Sequence, residues 1–375
     1  MLGLYVHVPF CSAICNYCNF NRGLFDAPLK ARYVEALLTE IRTAGGEFGL
    51  KADTIYFGGG TPSLLEPIEI RQIVNACRNV FDFGAGEPEV TLEANPETVT
   101  GERLAAFRSA GVNRLSFGVQ SFRDEELQRL SRLHNAKRAS TAYAEARQAG
   151  FENVSLDLMM WLPGQDLDRW LESVDAAIQL APEHLSLYLL EVYPNAPLKD
   201  DMARSQWSQA PDEDAAAMYL TAMERLDGAG YAQYEISNVA RASRYSRHNM
   251  KYWSDGEWLG FGCGAHSTRS GARWKNVSSA EEYVRRIGGG QQVATDVHRL
   301  TQDEQVGDAL FMGLRLTAGV SIDTIRARYG VDVWQRWGTD LEPFLEDGCL
   351  HREGDRLRLT RRGMLLANEV MAVFV

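Results

Sequence analysis

Long apolar runs are missing from this 375-residue chain. No stretch approaches the ~18 consecutive apolar residues that a bilayer-spanning helix needs. Residues 1–10 lack the basic segment ahead of an apolar one that opens a secretory signal. The expected location is therefore the cytoplasm. Basic charge is also in deficit: 39 Lys and Arg face 50 Asp and Glu, a net charge of −11. That balance argues against a general nucleic-acid binder. Cysteine is scarce, with six in the whole chain, and their uneven placement does not make a disulfide framework. C-x-x-C-H, the mark of covalent haem attachment of the cytochrome c kind, does not occur. Neither an internal repeat nor a low-complexity tract is present. What remains is an ordinary globular composition, 45% hydrophobic and 24% charged. The length exceeds that of a usual single core, so one large domain with smaller additions is expected.

Residues 1–190 repeat a strand-then-helix rhythm. Candidate strands fall at 4–8, 54–57, 90–93, 114–117, 154–158 and 184–189. Between them lie helical stretches with apolar residues three and four apart, such as Tyr33, Leu37, Leu38 and Ile41. Such alternation predicts an α/β fold, a parallel sheet with helices outside. Six units suit an open, partial (β/α)6 barrel of the TIM-like kind, although a doubly wound sheet satisfies the same pattern. Residues 191–300, opened by a turn-rich boundary at 193–197, form an extension with a helix near 212–228 and a loop-rich stretch holding 248–253 and 260–266. Residues 301–375 predict a small helical and winged domain.

In either α/β architecture ligands bind at the carboxyl ends of the strands, and the chemically suggestive residues collect there. Cys11, Cys15 and Cys18 follow the first strand, Gly58-Gly59-Gly60-Thr61 the second, Glu93 ends the third, Gln120 follows the fourth and Asp157 lies near the end of the fifth. Three thiolates on one loop can hold three corners of a 4Fe–4S cubane and leave the fourth iron open. The competing reading is zinc, with His7 as a fourth ligand. Cys77, on an apolar helix, and Cys349, in a turn, read as packing residues.

Cys11, Cys15, Tyr17 and Cys18 resemble the signature of the radical S-adenosylmethionine superfamily. The surrounding Tyr-Val-His-Val-Pro-Phe-Cys resembles the oxygen-independent coproporphyrinogen III dehydrogenase family. The likeness runs on through Gly58-Gly59-Gly60-Thr61-Pro62-Ser63, Glu93-Ala94-Asn95-Pro96, Gly118-Val119-Gln120-Ser121-Phe122, Asp157-Leu158 and Leu162-Pro163-Gly164. It implies a barrel of the radical S-adenosylmethionine type, a 4Fe–4S cluster on Cys11, Cys15 and Cys18, and S-adenosylmethionine held by Tyr5, Tyr17, Gly59, Gly60, Thr61, Glu93, Gln120, Arg132 and Asp157. The residue types suit that ligand. Glycines let backbone N–H groups approach its carboxylate, Arg132 can pair with a carboxylate, and Glu93 and Gln120 can meet an amino group or ribose hydroxyls. His134 is a further candidate, more readily structural than catalytic. The implied chemistry is reductive and belongs to the cofactors, which the protein orients.

Two departures separate the chain from the dehydrogenase. Phe20 stands where that enzyme has a further cysteine, and only four residues precede Tyr5 where it carries an extension. Both match the sister family of HemW haem chaperones. His248-Asn249-Met250-Lys251-Tyr252-Trp253 resembles that family's H-N-x-x-Y-W haem-binding motif, which implies haem on His248, Asn249, Tyr252 and Trp253. A histidine can ligate haem iron and the aromatics can flank a macrocycle. The bland alternative is a segment whose aromatics pack into the core while His248 makes an ordinary hydrogen bond. The resemblance implies a haem carrier, with haem, acceptor haemoproteins (respiratory ones among them), an electron donor and a second copy of the chain as partners, and no nucleic acid. The alternative function is radical decarboxylation of coproporphyrinogen III in porphyrin biosynthesis. Gly260-Phe261-Gly262-Cys263-Gly264-Ala265-His266-Ser267 resembles a family segment whose contacts stay open.

Overall fold

The computed structural model describes residues 1–44, 50–194 and 196–375. Asn195, within the expected boundary turn, lies outside the described residues. The six expected strands are present: β1 (Leu2–Val8), β2 (Ala52–Gly59), β3 (Glu89–Ala94), β4 (Arg114–Gln120), β5 (Val154–Met160) and β6 (His184–Leu189). Each pairs in parallel with the next in chain order. Helices α1 (Ala27–Thr43), α2 (Pro67–Val80), α3 (Gly101–Ser109), α4 (Asp124–Arg129), α5 (Ala136–Gln148) and α6 (Leu167–Leu180) return the chain outside the sheet. Local signals start them as the sequence would have it. Asp26, Thr100, Asn135 and Asp166 each accept a backbone N–H from the first turn of the helix they precede.

The sheet does not end at six. After α7 (Pro197–Ser205) and α8 (Asp212–Gly228), β7 (Ala232–Glu235) and β8 (Asn238–Ala240) form an antiparallel hairpin on the β6 edge. Past α9 (Arg247–Trp253), β9 (Trp258–Phe261) adds in parallel to the other edge, beside β1. Three antiparallel strands continue from it: β10 (His266–Arg269), β11 (Ala272–Asn276) and β12 (Ala294–Arg299). The 248–266 stretch is therefore not a loop but a helix and parts of two strands. Its four-residue strands and its glycines hide the period-two pattern that would have marked it. The result is a 12-stranded open sheet.

Along the curved parallel part, side chains alternate between an outer apolar layer and a polar lumen. Leu4, Val6, Ile55, Phe57, Val90, Leu92, Leu115 and Phe117 face the helices and are fully buried. Tyr5, Tyr56, Thr91, Glu93, Arg114, Ser116, Asp157 and Ser186 take the intervening positions. Helix α10 (Ala280–Gly288) joins β11 to β12 and packs on α1. The C-terminal residues form α11 (Gln302–Gly313), α12 (Ile322–Tyr329), α13 (Val333–Glu346) and a hairpin, β13 (Leu350–Glu353) with β14 (Arg356–Leu359), closed by two short helices. Their apolar residues join the same continuous core as the barrel's. No helix among the described residues is long and apolar enough to cross a membrane.

Candidate cofactor site

The cysteine loop leaves β1 at the carboxyl end of the sheet. A short bridge pairs Phe10–Cys11 with Gly23–Leu24 and closes the loop on itself. Inside it Cys11, Cys15 and Cys18 face one cavity of about 420 Å³. Burial raises the Cys11 and Cys18 thiols above their ordinary range, and the neighbouring thiols add to it.

Hydrogen bonds lock two of these sulfurs into a frame. Thr61 Oγ1 donates to Cys11 Sγ at 3.6 Å, and Asn95 Nδ2 donates to Thr61 Oγ1 at 3.2 Å. Arg132 Nη2 donates to Asn95 Oδ1 and to the Gly118 carbonyl, each at 2.7 Å. Arg132 Nη1 reaches Cys15 Sγ at 3.5 Å. Asn95 is thus the central link; the sequence placed it in the family-like segment Glu93-Ala94-Asn95-Pro96 but assigned it no contact. Its place directly after a strand, between Glu93 and Pro96, was the available signal.

The cavity is also lined by Tyr17, Gly59, Gly60, Thr61, Glu93, Gln120, Arg132 and Asp157. Eight of the nine residues expected at S-adenosylmethionine therefore converge. Tyr5 does not. Its ring fills the lumen one layer below, where its OH lies 3.1 Å from His7 Nδ1 and a Cβ on Gly58 would meet the ring at 2.9 Å. Gly60 lets backbone pass the thiols: a Cβ there would sit 2.8 Å from the Phe10 carbonyl and 3.0 Å from Cys11 Sγ.

Two features show where this site holds polar groups in reserve. Gln120 adopts φ 70°, a left-handed conformation unusual for a side-chain-bearing residue. Its Oε1 is buried with no hydrogen-bond partner among the described residues, and so is Arg132 Nε. Glu93 accepts Tyr56 OH at 2.7 Å and the Gly59 N–H at 3.2 Å. Burial, with the nearby Asp157 charge, still pushes its carboxyl up to about 7. Asp157 accepts Ser116 Oγ at 3.0 and 3.2 Å, and burial raises it as well.

The structure leaves the zinc alternative without its fourth ligand. His7 is buried, with Nε2 2.7 Å from the Asn21 carbonyl and Nδ1 at Tyr5. Among the described residues no three His, Cys, Asp or Glu side chains close on a point as a single ion requires. Three thiols around a wider cavity, with orphaned polar atoms across from them, fit a cluster and a polar cofactor. His134 is structural, buried between Glu97 at 3.1 Å and the Val119 carbonyl at 3.0 Å.

The glycine-rich segment around Cys263 touches this site indirectly. Asn21, on the cysteine loop, donates to the Cys263 and Ser278 carbonyls at 3.2 and 3.0 Å. Tyr33 OH donates to the His7 carbonyl and accepts the Cys263 N–H, both at 2.9 Å. A buried carboxylate, Glu40, gathers the Gly262 N–H, Asn276 and Tyr283 within 2.6–2.8 Å. The segment is a clamp on the loop that carries the cysteines.

His248, Asn249, Tyr252 and Trp253 stand apart from the cavity. They lie on α9, which plugs the opposite end of the lumen. Glu89 fixes its N-terminus by accepting the Arg247 and His248 N–H groups, both at 3.0 Å. His248 Nδ1 is 2.8 Å from Thr54 Oγ1 and Nε2 2.8 Å from Tyr252 OH. Its ring stacks on Tyr56 at 5.0 Å. Burial, then the Lys251 and Arg114 charges, lower its basicity to about 3. Trp253 lies under the Arg315 guanidinium. In this structure both ring nitrogens of His248 are hydrogen-bonded and the residue is buried.

A sheet of this kind, with three thiols at its carboxyl mouth and a polar cavity beside them, defines a radical S-adenosylmethionine barrel. Residues 5–177 match the Radical SAM superfamily and residues 300–366 the HemN C-terminal domain. The chain is 38% identical to the heme chaperone HemW of Bacillus subtilis, over all of this chain and 99% of that protein. It is 37% identical to the heme chaperone HemW of Mycobacterium tuberculosis, over 98% of this chain and 93% of the other. Identity is 36% with a mouse mitochondrial protein named radical S-adenosyl methionine domain-containing protein 1, over 98% of this chain and 86% of that one. The chain belongs to the HemW family. The crystal structure of coproporphyrinogen III oxidase (HemN) from Escherichia coli superposes with a TM-score of 0.87 at 23% identity, over all of this chain and 89% of that one, which establishes the shared fold.

Proposed function

We propose that the protein is a cytoplasmic haem carrier that binds haem and hands it to acceptor haemoproteins, with a 4Fe–4S cluster on Cys11, Cys15 and Cys18 and S-adenosylmethionine beside it. The observation that carries the reading is full-length identity with relatives named heme chaperones. Phe20 agrees with it: the cysteine loop presents an exposed ring where the dehydrogenase pattern has a thiol. When bound, the cluster and cofactor supply reductive one-electron chemistry.

The chain's own part is to hold and shield them. Thr61, Asn95 and Arg132 fix two of the thiols, and Gly59 and Gly60 let backbone come close to the cavity, the Gly59 N–H holding Glu93 and the Gly60 N–H the Val8 carbonyl. Glu93 and Gln120 face an amino group and hydroxyls, and Asp157 closes the floor of the cavity.

Anaerobic reconstitution with iron and sulfide, followed by haem titration and mixing with an apo-haemoprotein, tests the proposal. One cluster per chain, saturable haem binding and transfer are expected. Failure to bind haem would sink it. Turnover of coproporphyrinogen III by the reconstituted protein with a reductant and S-adenosylmethionine would replace it with the decarboxylase reading.

A further inference from the structure

The lumen beneath the cofactor cavity holds a cation that the proposed function does not use. Arg114 opens β4 with 2% of its surface exposed. Arginine stays protonated even when buried, and a buried charge is costly unless other charges offset it. Yet among the described residues its guanidinium forms no ion pair, and its Nε is buried with no hydrogen-bond partner. Thr91, its neighbour across the ladder on β3, is left with an unpartnered Oγ1 as well.

What offsets the charge lies one layer higher. Residues two apart on a strand share a face and stand about 6.6 Å apart. Two positions on from Thr91 is Glu93. Two positions on from Arg114 is Ser116, which donates to Asp157. Both carboxylates line the cavity, and the Arg114 charge eases the loss of a proton from each, against the larger effect of burial. Arg132, a second cation at the cavity, is directed elsewhere, to Cys15, Asn95 and Gly118. The other titratable groups around the two carboxylates are tyrosines, Tyr5 on β1, Tyr56 on β2, Tyr188 on β6 and Tyr252 on α9, uncharged at neutral pH. On the far side of Arg114, Glu89 is engaged by the α9 N–H groups. His184 there is bonded to Ser155 and Tyr234, both at 2.8 Å, and burial lowers its basicity as it does that of His248.

We infer that Arg114 is a positioning residue, the shared counter-ion of Glu93 and Asp157, which keeps the cavity floor anionic toward the cationic end of S-adenosylmethionine. The inference deepens the cofactor reading and rests on it for the ligand, but the charge can be read without the ligand.

In the metal-free protein, the infrared band of a protonated carboxyl that vanishes in Glu93→Gln follows Glu93 through its midpoint at about 7. Arg114→Met, its fold checked by circular dichroism, is expected to move that midpoint up by about one pH unit or more, and Arg114→Lys, which keeps the charge, to leave it near the wild type. After reconstitution of the cluster, equilibrium dialysis should show S-adenosylmethionine held about fivefold more weakly by Arg114→Met at about pH 7, the deficit closing by about pH 9 as Glu93 ionises again. A purely structural arginine would give a deficit that does not change with pH. A wild-type midpoint in the folded Arg114→Met protein, or a pH-independent deficit, would overturn the inference. If Arg114→Met does not fold, Arg114→Lys decides: a midpoint displaced by a full unit with the charge still present overturns it as well. A wild type that carries the cluster yet binds no S-adenosylmethionine would remove the cofactor reading, while the infrared midpoints still decide the counter-ion.

Discussion

Glu93→Gln separates the two demands placed on the polar lumen. The Glu93 carboxyl is pushed from its ordinary 4.5 up to about 7, mainly by burial. A carboxyl held above its unfolded value binds its proton more tightly in the folded state. Its contribution to stability is complete below pH 4.5 and is lost as pH rises through 7. Between those limits the wild type forfeits about 3 kcal/mol, at about 1.4 kcal/mol per factor of ten in the proton equilibrium. Glutamine carries no charge and escapes that loss. It can still accept Tyr56 OH, but the bond from the Gly59 N–H is weakened, at about 1 kcal/mol. The variant should therefore exceed the wild type by about 2 kcal/mol at pH 8 and fall slightly below it at pH 4.5. Denaturant titrations of the metal-free protein at the two pH values measure this. The same change removes the anion available to the ammonium of S-adenosylmethionine. An interaction with a charged group contributes about 1.5–3 kcal/mol, so equilibrium dialysis of the reconstituted variant should show affinity about 10- to 100-fold weaker. A variant less stable than the wild type at pH 8 would refute the reasoning about the lumen. Unchanged cofactor affinity would refute the role given to the carboxylate.

Gly264→Ala should loosen the cysteine loop from outside the cavity: φ is 69° and the new Cβ would meet Asn21 Nδ2 at 2.2 Å. A loss of about 1–3 kcal/mol and fewer iron and sulfide atoms per chain after reconstitution are expected, and wild-type iron content would contradict the clamp. His248 is held neutral, with its basicity lowered to about 3, so its contribution is present above pH 6.5 and lost as pH falls toward 3. The His248→Gln protein should show a flatter acid limb over that window in denaturant midpoints, and an identical slope would speak against a buried neutral imidazole.

Much of the site was legible because its chemistry is local. The cysteine spacing, the Gly58–Gly60 turn and the polar residues at successive strand ends need only a parallel β/α count to fall at one mouth, and eight of nine did so. The ninth shows the limit. Tyr5 occupies a lumen-facing strand position, but sequence cannot say at what depth a ring of that size comes to rest. The motif on α9 shows it more strongly. Histidine, tyrosine and tryptophan at helical spacing read equally well as a ligand set or as packing, and the choice depends on partners far along the chain: Thr54, Tyr56 and Glu89.

The sequence by itself determined the strand–helix rhythm, the helix caps and the loop that gathers three thiols, since each depends on residues close along the chain. Only the tertiary structure decided that Trp258–Phe261 extends the parallel sheet beside β1 and that Cys263 helps clamp the cysteine loop through Asn21. It also decided that Asn95 joins Thr61 to Arg132 between two sulfurs. Those are contacts between residues tens to hundreds of positions apart, set by how the whole sheet curls, and no local pattern encodes them.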